Sequence, residues 1–209
     1  MAIKEGELLI GKLGNKIYSI DPVSKRQVVR SLPKKVSNPK TAAQQKHRSA
    51  FVEIVRLSSY MTEAHTIGLH RHAQKQHKRT YADFRSLNKD CFTADGCIDY
   101  PHITISFGSV AKVMFTSAKL DENSVLCLSF DPHFNTSHCN PDDELYLFAY
   151  CPDCSVGCLF EPVKRVATTI TVQLPPEWPA DRLRLYAFLR DRKGNTSNTI
   201  YIPLASTLL

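Results

Sequence analysis

The chain has 209 residues and a mass of 23.6 kDa, which suits one large domain or two small ones and excludes a large multidomain protein. Its hydrophobic fraction of 43%, charged fraction of 22% and mean hydropathy of −0.25 exclude a disordered or collagen-like chain. No apolar run approaches the roughly 18 residues of a membrane helix, and Glu5 and Glu7 stand where a signal peptide needs its apolar stretch. We therefore expect an intracellular protein with no membrane partner, whose cysteines are thiols or metal ligands rather than disulfides.

The net charge of +7 is distributed unevenly along the chain. Residues 1–90 contain 18 Lys and Arg against 7 Asp and Glu, a net charge of +11, whereas residues 91–209 contain 9 against 13, a net charge of −4. A basic half joined to a mildly acidic half is typical of a nucleic-acid-binding or assembly arm on a neutral body.

Residues 1–40 are predicted to form a small β-hairpin or meander followed by an extended basic arm. Turn-forming residues, among them Gly14-Asn15 and Asp21-Pro22, separate three short β-type stretches. The arm, residues 31–40, contains two prolines, which exclude a helix interior, and three lysines.

Residues 41–90 are predicted to be helical. Thr41 and Gln44 have the spacing of a capping box, in which the hydroxyl and the Gln side chain each satisfy a free backbone N–H group. Gly68 is expected to interrupt the helix. Two apolar stripes at helical spacing are expected to be buried: Phe51, Ile54, Val55 and Ser58, then Ala73, His77, Tyr81, Phe84 and Leu87.

Residues 91–209 change to the period of two that is typical of β-strands. Strands are predicted over residues 103–107, 126–130, 145–150, 166–174, 183–189 and 199–202. No segment here is long enough for a helical crossover, so we expect an antiparallel immunoglobulin- or fibronectin-III-like β-sandwich. The predicted fold class is therefore α+β.

Several segments together resemble an uncharacterised family that is widespread in Bacteroidetes, a domain of unknown function. The most specific are the segment Arg-Ser-Leu-Pro-Lys-Lys, residues 30–35, and the following Gln-x-x-x-Arg-x-x-Phe helix, residues 44–51. The closing residues 186–201 also resemble the family, and similar Gln-x-x-x-Arg helices occur in phage and prophage proteins. The resemblance implies a basic arm, helices and a β-sandwich, and it transfers no catalytic residue.

The sharpest local signal for chemistry is Cys151-Pro152-Asp153-Cys154, followed by Cys158. A Cys-x-x-Cys knuckle can present two thiolates to zinc at about 2.3 Å, with Cys158 as a third ligand and His138 or Cys139 as a fourth. A redox pair is a second interpretation, and unliganded thiols are a third. Because no second paired knuckle and no thioredoxin-like context accompany the motif, we favour unliganded thiols and expect neither an obligatory metal nor a cofactor.

Other clusters of polar residues carry weaker signals. Four histidines crowd the helical region without the spacing of a zinc hydrolase, and we expect them to face solvent or a partner: His65, His70, His72 and His77. The acidic run Asp142-Asp143-Glu144 is expected to be a solvated strand edge. Nucleophile-elbow, Walker and kinase patterns are absent, so the sequence favours a protein that is not an enzyme, with no identified small-molecule substrate.

The basic half carries the functional prediction. We expect a non-catalytic structural or interaction protein that self-associates or docks onto a larger assembly, including a virion-like or phage-derived particle. The predicted interaction residues are Arg30, Lys34, Lys35, Lys40, Lys46 and Arg48. The alternative is non-sequence-specific nucleic-acid binding, in which these residues and further basic side chains between Arg71 and Arg85 contact phosphates.

Overall fold

The computed structural model describes residues 2–5, 8–32, 40–93, 95–132 and 138–204. It contains both helices and antiparallel sheets, so the predicted α+β class is confirmed. Within these residues, no helix is both long and apolar enough to cross a bilayer.

The N-terminal residues form an antiparallel meander of four strands, one more than the three short stretches that were predicted. Its strands, in chain order, are β1 (Ala2–Glu5), β2 (Leu8–Leu13), β3 (Lys16–Ile20) and β4 (Gln27–Ser31). Gly14 has a φ of +57° in the β2–β3 turn, and the Asp21 carboxylate accepts hydrogen bonds from Val23 N and Ser24 Oγ in the next turn. None of residues 8–32 is fully buried, so the meander lies at the periphery of the molecule.

Four helices follow, and the helical prediction for residues 41–90 is confirmed. They are α1 (Ala42–Tyr60), α2 (Thr62–Gly68), α3 (His70–Lys75) and α4 (Thr80–Asn88). Thr41 caps α1 by accepting a hydrogen bond from Gln44 N at 3.3 Å. The second hydrogen bond of the predicted capping box, from Thr41 N to the Gln44 side chain, does not form. The buried Oε1 atom of Gln44 has no partner in the described part of the chain.

Both predicted apolar stripes are partly wrong. In the first stripe Ile54 and Ser58 are buried as predicted, but Phe51 is 48% exposed and Leu57, which was not predicted, is buried. The second stripe does not belong to one helix, because the chain turns between α3 and α4 with His77 at a φ of +52°. Gly68 ends α2, as expected. It also lets the chain pack closely, because a Cβ at this position would lie 2.4 Å from the Ile105 carbonyl oxygen.

Residues 103–107, which were predicted as a strand, are extended but pair with no neighbouring strand. Side chains satisfy their backbone groups instead. The Asn88 carboxamide accepts from Thr104 N at 2.6 Å and donates to Thr104 O at 2.8 Å, and Thr199 Oγ1 accepts from the backbone N–H groups of residues 105 and 106 at 2.9 Å. The period of two therefore buries Ile103 and Ile105 against the helices without forming a sheet.

Two antiparallel sheets form the rest of the protein. The first has the order β10-β6-β5, and the second has the order β12-β11-β7-β8, with β9 paired to the start of β7. The strands are β5 (Met114–Leu120), β6 (Val125–Asp131), β7 (Glu144–Cys151), β8 (Val156–Leu159), β9 (Val163–Lys164), β10 (Thr169–Gln173), β11 (Arg184–Arg190) and β12 (Ile200–Ile202). The strand predicted over residues 166–174 is shorter, because a 3-10 turn at Arg165–Ala167 and a φ of +58° at Thr168 delay its start.

The second sheet is buried on both faces because its two central strands, β7 and β11, alternate aliphatic and aromatic side chains. One face packs against the first sheet through Leu145, Leu147, Ala149, Cys151, Leu185, Ala187 and Leu189. The other face packs against the helices through Tyr146, Phe148, Tyr150, Tyr186 and Phe188. The molecule therefore has three layers, in which one sheet separates the helices from the other sheet.

The expectation that the acidic run 142–144 is solvated is wrong for Asp143, which is only 2% exposed, whereas Glu144 is exposed. The Asp143 carboxylate lies 3.2 Å from the guanidinium group of Arg165, which is fully buried. Arg165 also donates hydrogen bonds to the carbonyl oxygens of Pro132 and Ala111 at 2.8 and 2.6 Å. This ion pair joins the loop before β5, the end of β6 and the start of β7.

We predict that Arg165→Ala lowers the free energy of unfolding by about 3–5 kcal/mol, because it leaves the buried Asp143 carboxylate uncompensated. The exposed neighbour Lys164, which pairs with Asp142, is the control, and Lys164→Ala should change stability far less. Urea denaturation measures both. Equal stabilities of the two variants would contradict a structural role for the buried pair.

Candidate functional site

An open groove with a volume of about 580 Å³ lies between α1 and α4. We call it the α1–α4 groove. Its apolar surface comes from Ala43, Ala50, Phe51, Ile54, Ala82 and Phe92, and its polar rim from Lys46, His47, Arg85, Ser86 and Lys89. Three of the lining side chains are alanines, which are too small to fill the space between the two helices.

Large apolar side chains on and beside this groove remain exposed. Phe51, Val52 and Tyr81 are each more than two-fifths exposed, although the helices that carry them have well-buried opposite faces. A monomer gains nothing from leaving such side chains in water, whereas burying one is worth about 1.5–3 kcal/mol. Their exposure therefore leaves apolar surface in contact with water at the groove and on α1 and α4.

Arg85 lies on the rim of the groove and makes no hydrogen bond or ion pair within the described residues. Its guanidinium carbon lies 4.9 Å from the centroid of Tyr81 and 5.7 Å from that of Phe51, so two aromatic rings hold it in place. The Nε atom is buried without a partner. The rim cations Lys46 and Lys89 likewise form no ion pair in the part of the chain that the structure describes.

The predicted interaction residues do not form one cluster at this groove. Lys46 lines it, Lys40 lies exposed just before α1, and Arg48 is exposed on α1. Arg30 is exposed on β4. Lys34 and Lys35 lie outside the described residues. The aromatic contacts of Arg85 were not anticipated, because Phe51 and Tyr81 were expected to be buried.

The cysteines considered as zinc ligands do not all come together: Cys151 and Cys154 contact each other, but Cys139 lies elsewhere. Cys151 is buried between the two sheets, Cys154 is exposed and Cys158 is half-buried. Cys139 precedes β7 and contacts Arg165, whereas Cys151 ends β7, so an eight-residue strand of about 3.3 Å per residue separates them. Among residues 2–5, 8–32, 40–93, 95–132 and 138–204, no three His, Cys, Asp or Glu side chains are placed to hold a metal ion.

The hydrogen bond between Cys151 and Cys154 is the main reason that the pKa of the Cys154 thiol is raised, and burial raises the pKa of the Cys158 thiol. Both shifts favour the protonated thiol, which is a poor nucleophile and a poor metal ligand. None of the seven cysteines, all of which lie within the described residues, forms a disulfide bond.

Two histidines are not solvated, contrary to the sequence expectation. His65 is 1% exposed, and its Nε2–H group donates to the Ser58 carbonyl oxygen at 3.0 Å. His72 donates from Nδ1 to the buried Asp83 carboxylate at 2.6 Å and packs its ring on Phe107. His65 therefore joins α2 to α1, and His72 joins α3 to α4 and to Phe107 in the segment that follows the helices.

The pair Ser58 and His65 has the contact distance of a nucleophile and a base, with Oγ 3.4 Å from Nε2. That nitrogen already carries the proton that it donates to the Ser58 carbonyl, so it cannot accept one from the hydroxyl. The other ring nitrogen has no partner in the described chain, and both side chains are closed off from solvent. The pair lacks the access and the orienting acid of a catalytic dyad.

Comparison with known proteins gives a family but no activity. A family model described as a family of unknown function (DUF6266) matches residues 9–203. The chain belongs to the DUF6266 family. The matched residues of this DUF6266 protein include both helices of the α1–α4 groove and every strand of the two facing sheets. The predicted resemblance to an uncharacterised family is confirmed, and no curated protein matches the chain.

The buried histidine makes the stability of the DUF6266 protein depend on pH. Burial is the main cause that lowers the pKa of His65, so the folded protein keeps it neutral while the unfolded chain protonates near pH 6.5. Below about pH 6.5 the unfolded state binds the extra proton, and stability falls as the pH falls. His65→Gln, which keeps a hydrogen-bond donor, should remove up to about 1.4 kcal/mol per pH unit of this slope. Urea titrations of both proteins from pH 7.5 to 5 measure it, and parallel curves would contradict the assignment.

Proposed function

We propose that this DUF6266 protein is a non-catalytic interaction module that docks a partner protein in the α1–α4 groove. The observation that carries the proposal is the combination of an open apolar groove with a rim of basic side chains that form no ion pairs within the described residues. A groove between two helices is a common docking site for an amphipathic helix, whose apolar face enters the groove.

Charge complementarity selects the occupant. Lys46, Arg85 and Lys89 favour carboxylates at the edges of the partner segment, and no Asp or Glu lines the groove to oppose them. Arg85 is the central contact, because its guanidinium group is already desolvated on one side by Tyr81 and Phe51. The proposed partner is therefore a protein segment with apolar side chains on one face and acidic residues beside them.

The strand order supports a finer proposal for the fold. Numbered A to G along the chain, β5, β6 and β10 give the order E-B-A, and β12, β11, β7 and β8 give the order G-F-C-C′. This arrangement is typical of fibronectin-III and immunoglobulin-like sandwiches, which serve many unrelated roles as interaction scaffolds. In this proposal the sandwich holds the helical layer rigidly and the groove contacts the partner.

Docking onto a larger assembly, including a virion-like particle, is the broader role that we propose for the groove and the basic arm. Its support is the phage-like Gln-x-x-x-Arg helix, whose Gln44 and Arg48 lie on α1 beside the groove. Non-specific nucleic-acid binding remains the alternative, since Lys40, Lys46 and Arg48 are exposed together around the start of α1. A gel shift titrated from about 50 to 200 mM salt separates the two, because phosphate contacts weaken by orders of magnitude over that range.

Binding of a designed probe tests the groove directly. The probe is a fluorescent helical peptide with leucines on one face and glutamates flanking them, and its Kd is measured by anisotropy. We expect Phe51→Ser and Arg85→Gln each to weaken binding at least tenfold, because they remove the apolar contact and the central cation. A peptide with lysine in place of each glutamate should also bind at least tenfold more weakly.

The controls change the same residue types outside the groove. Val156→Ser removes an equally exposed apolar side chain on β8, and Arg56→Gln removes an arginine of α1 that pairs with Glu53. Both variants should bind as the unmodified protein does. Equal binding by all four variants, or preference for the basic peptide, would overturn the proposal. Light scattering that shows a dimer broken by Phe51→Ser would identify a second copy, rather than an acidic partner, as the occupant.

A further inference from the structure

A second cavity, of about 490 Å³, lies between the α2–α3 region and the turn that joins β11 to β12. We call it the hairpin pocket. Every ionisable side chain that lines it is basic: His70, Arg71, Arg190, Arg192 and Lys193. Thr66 and Gln74 add uncharged hydrogen-bonding groups, and Ile67 adds an apolar surface. The pocket shares no lining residue with the α1–α4 groove.

The turn holds two guanidinium groups close together. Gly194 adopts a φ of +81°, and the turn is closed by bonds from Gly194 N to Asp191 O at 2.9 Å and from Asn195 N to the Asp191 carboxylate at 2.7 Å. A Cβ on Gly194 would lie 3.5 Å from Arg71 Nε and 3.9 Å from Arg190 Nη2. The absence of a side chain at this position therefore leaves both arginines facing the same space.

Arg71 is fixed across the two layers that form the pocket. It belongs to α3, and its Nη2 group donates a hydrogen bond to the Lys193 carbonyl oxygen in the turn. Because this hydrogen bond holds one edge of the guanidinium group, the orientation of Arg71 toward the pocket is fixed before any ligand binds. Preorganised arginines of this kind bind oxyanions well, because their planar donors match two oxygens at once.

Acidic residues around the pocket neutralise only part of its charge. Asp142 forms ion pairs with both Arg192 and Lys164. The hydrogen bond from Lys164 and the positive charges of Arg192 and Lys164 lower the pKa of the Asp142 carboxyl. Glu144 lies opposite Arg190 in the β7–β11 register. In the described part of the chain, Arg71 and Lys193 have no carboxylate partner. The basic side chains of the pocket repel one another, and a bound anion would offset this unfavourable electrostatic energy.

We propose that the hairpin pocket binds a compact ligand that carries a phosphate group or a comparable doubly charged oxyanion. Arg71 and Arg190 contact the oxyanion, and Lys193 supplies a further charge. The volume exceeds that of a single oxyanion and falls in the range of small-molecule sites, so the group can belong to a small organic molecule. The binding needs no residue of the groove and is independent of the proposed docking function.

Calorimetric titration with inorganic phosphate and with pyrophosphate, at constant low ionic strength and with chloride as the reference anion, tests the proposal. We expect pyrophosphate to bind and Arg71→Gln to weaken it at least tenfold. Lys193→Gln, whose backbone carbonyl still accepts from Arg71, should weaken it severalfold. Arg56→Gln, on the exposed surface of α1, should leave the Kd unchanged.

Circular dichroism checks that each variant is folded. If Arg71→Gln does not fold, Arg71→Lys is used in its place, because lysine retains the charge but lacks the planar donors of arginine. Intermediate affinity of Arg71→Lys supports the proposal. Absence of any heat with millimolar phosphate and pyrophosphate would overturn it, as would equal affinity in all variants. A single-stranded oligonucleotide that binds through Arg71 when the two small anions do not would also overturn it and identify a nucleic-acid backbone as the ligand.

Discussion

The double-sided burial of strands β7 and β11 is the constraint on which the rest of the structure depends. Their alternation places leucine and alanine toward the first sheet and tyrosine and phenylalanine toward the helices. Tyr146 and Phe188 stack with their ring centroids 5.2 Å apart, and Tyr186 donates its hydroxyl hydrogen bond to the Tyr100 carbonyl oxygen at 2.9 Å. Burial raises the pKa of Tyr186, so this donor stays protonated. The aromatic face thus supplies the apolar area that holds the helices and the polar contact that holds the 3-10 turn at Tyr100–His102.

Both candidate sites involve the helical layer, and the hairpin pocket depends directly on its attachment to the sheet. The helices that pack on the aromatic face leave α1 and α4 separated by alanines, which opens the α1–α4 groove. The same packing brings α3 against the β11–β12 turn, where Arg71 donates to the Lys193 carbonyl oxygen and lines the hairpin pocket. Gly68 makes the close approach possible, because α2 lies almost in contact with the backbone at Ile105. The hairpin pocket would not exist if the helices formed a separate domain, because its lining combines residues of α2 and α3 with residues of the β11–β12 turn.

The sequence predicted those parts of the fold whose signals are local. The Thr41 cap, the turns of the meander and the period of two in β6, β7 and β11 all depend on neighbouring residues, and the structure contains them. The predicted strand over residues 103–107 was wrong because side chains distant in sequence, Asn88 and Thr199, satisfy its backbone. The Arg165–Asp143 pair and the exposure of Phe51 likewise depend on tertiary contacts. The groove and the pocket could not be predicted, since each needs the spacing between elements that periodicity does not specify.

One unfolding experiment tests the central claim that a shared sheet joins the helices to the rest of the protein. Trp178 is the only tryptophan and lies in the core between the two sheets, so its fluorescence reports that core, whereas circular dichroism at 222 nm reports the helices. Because β7 and β11 belong to both clusters of buried side chains, urea should unfold both signals in one transition with the same midpoint. Loss of the helical signal at a distinctly lower urea concentration, with Trp178 fluorescence unchanged, would contradict the account.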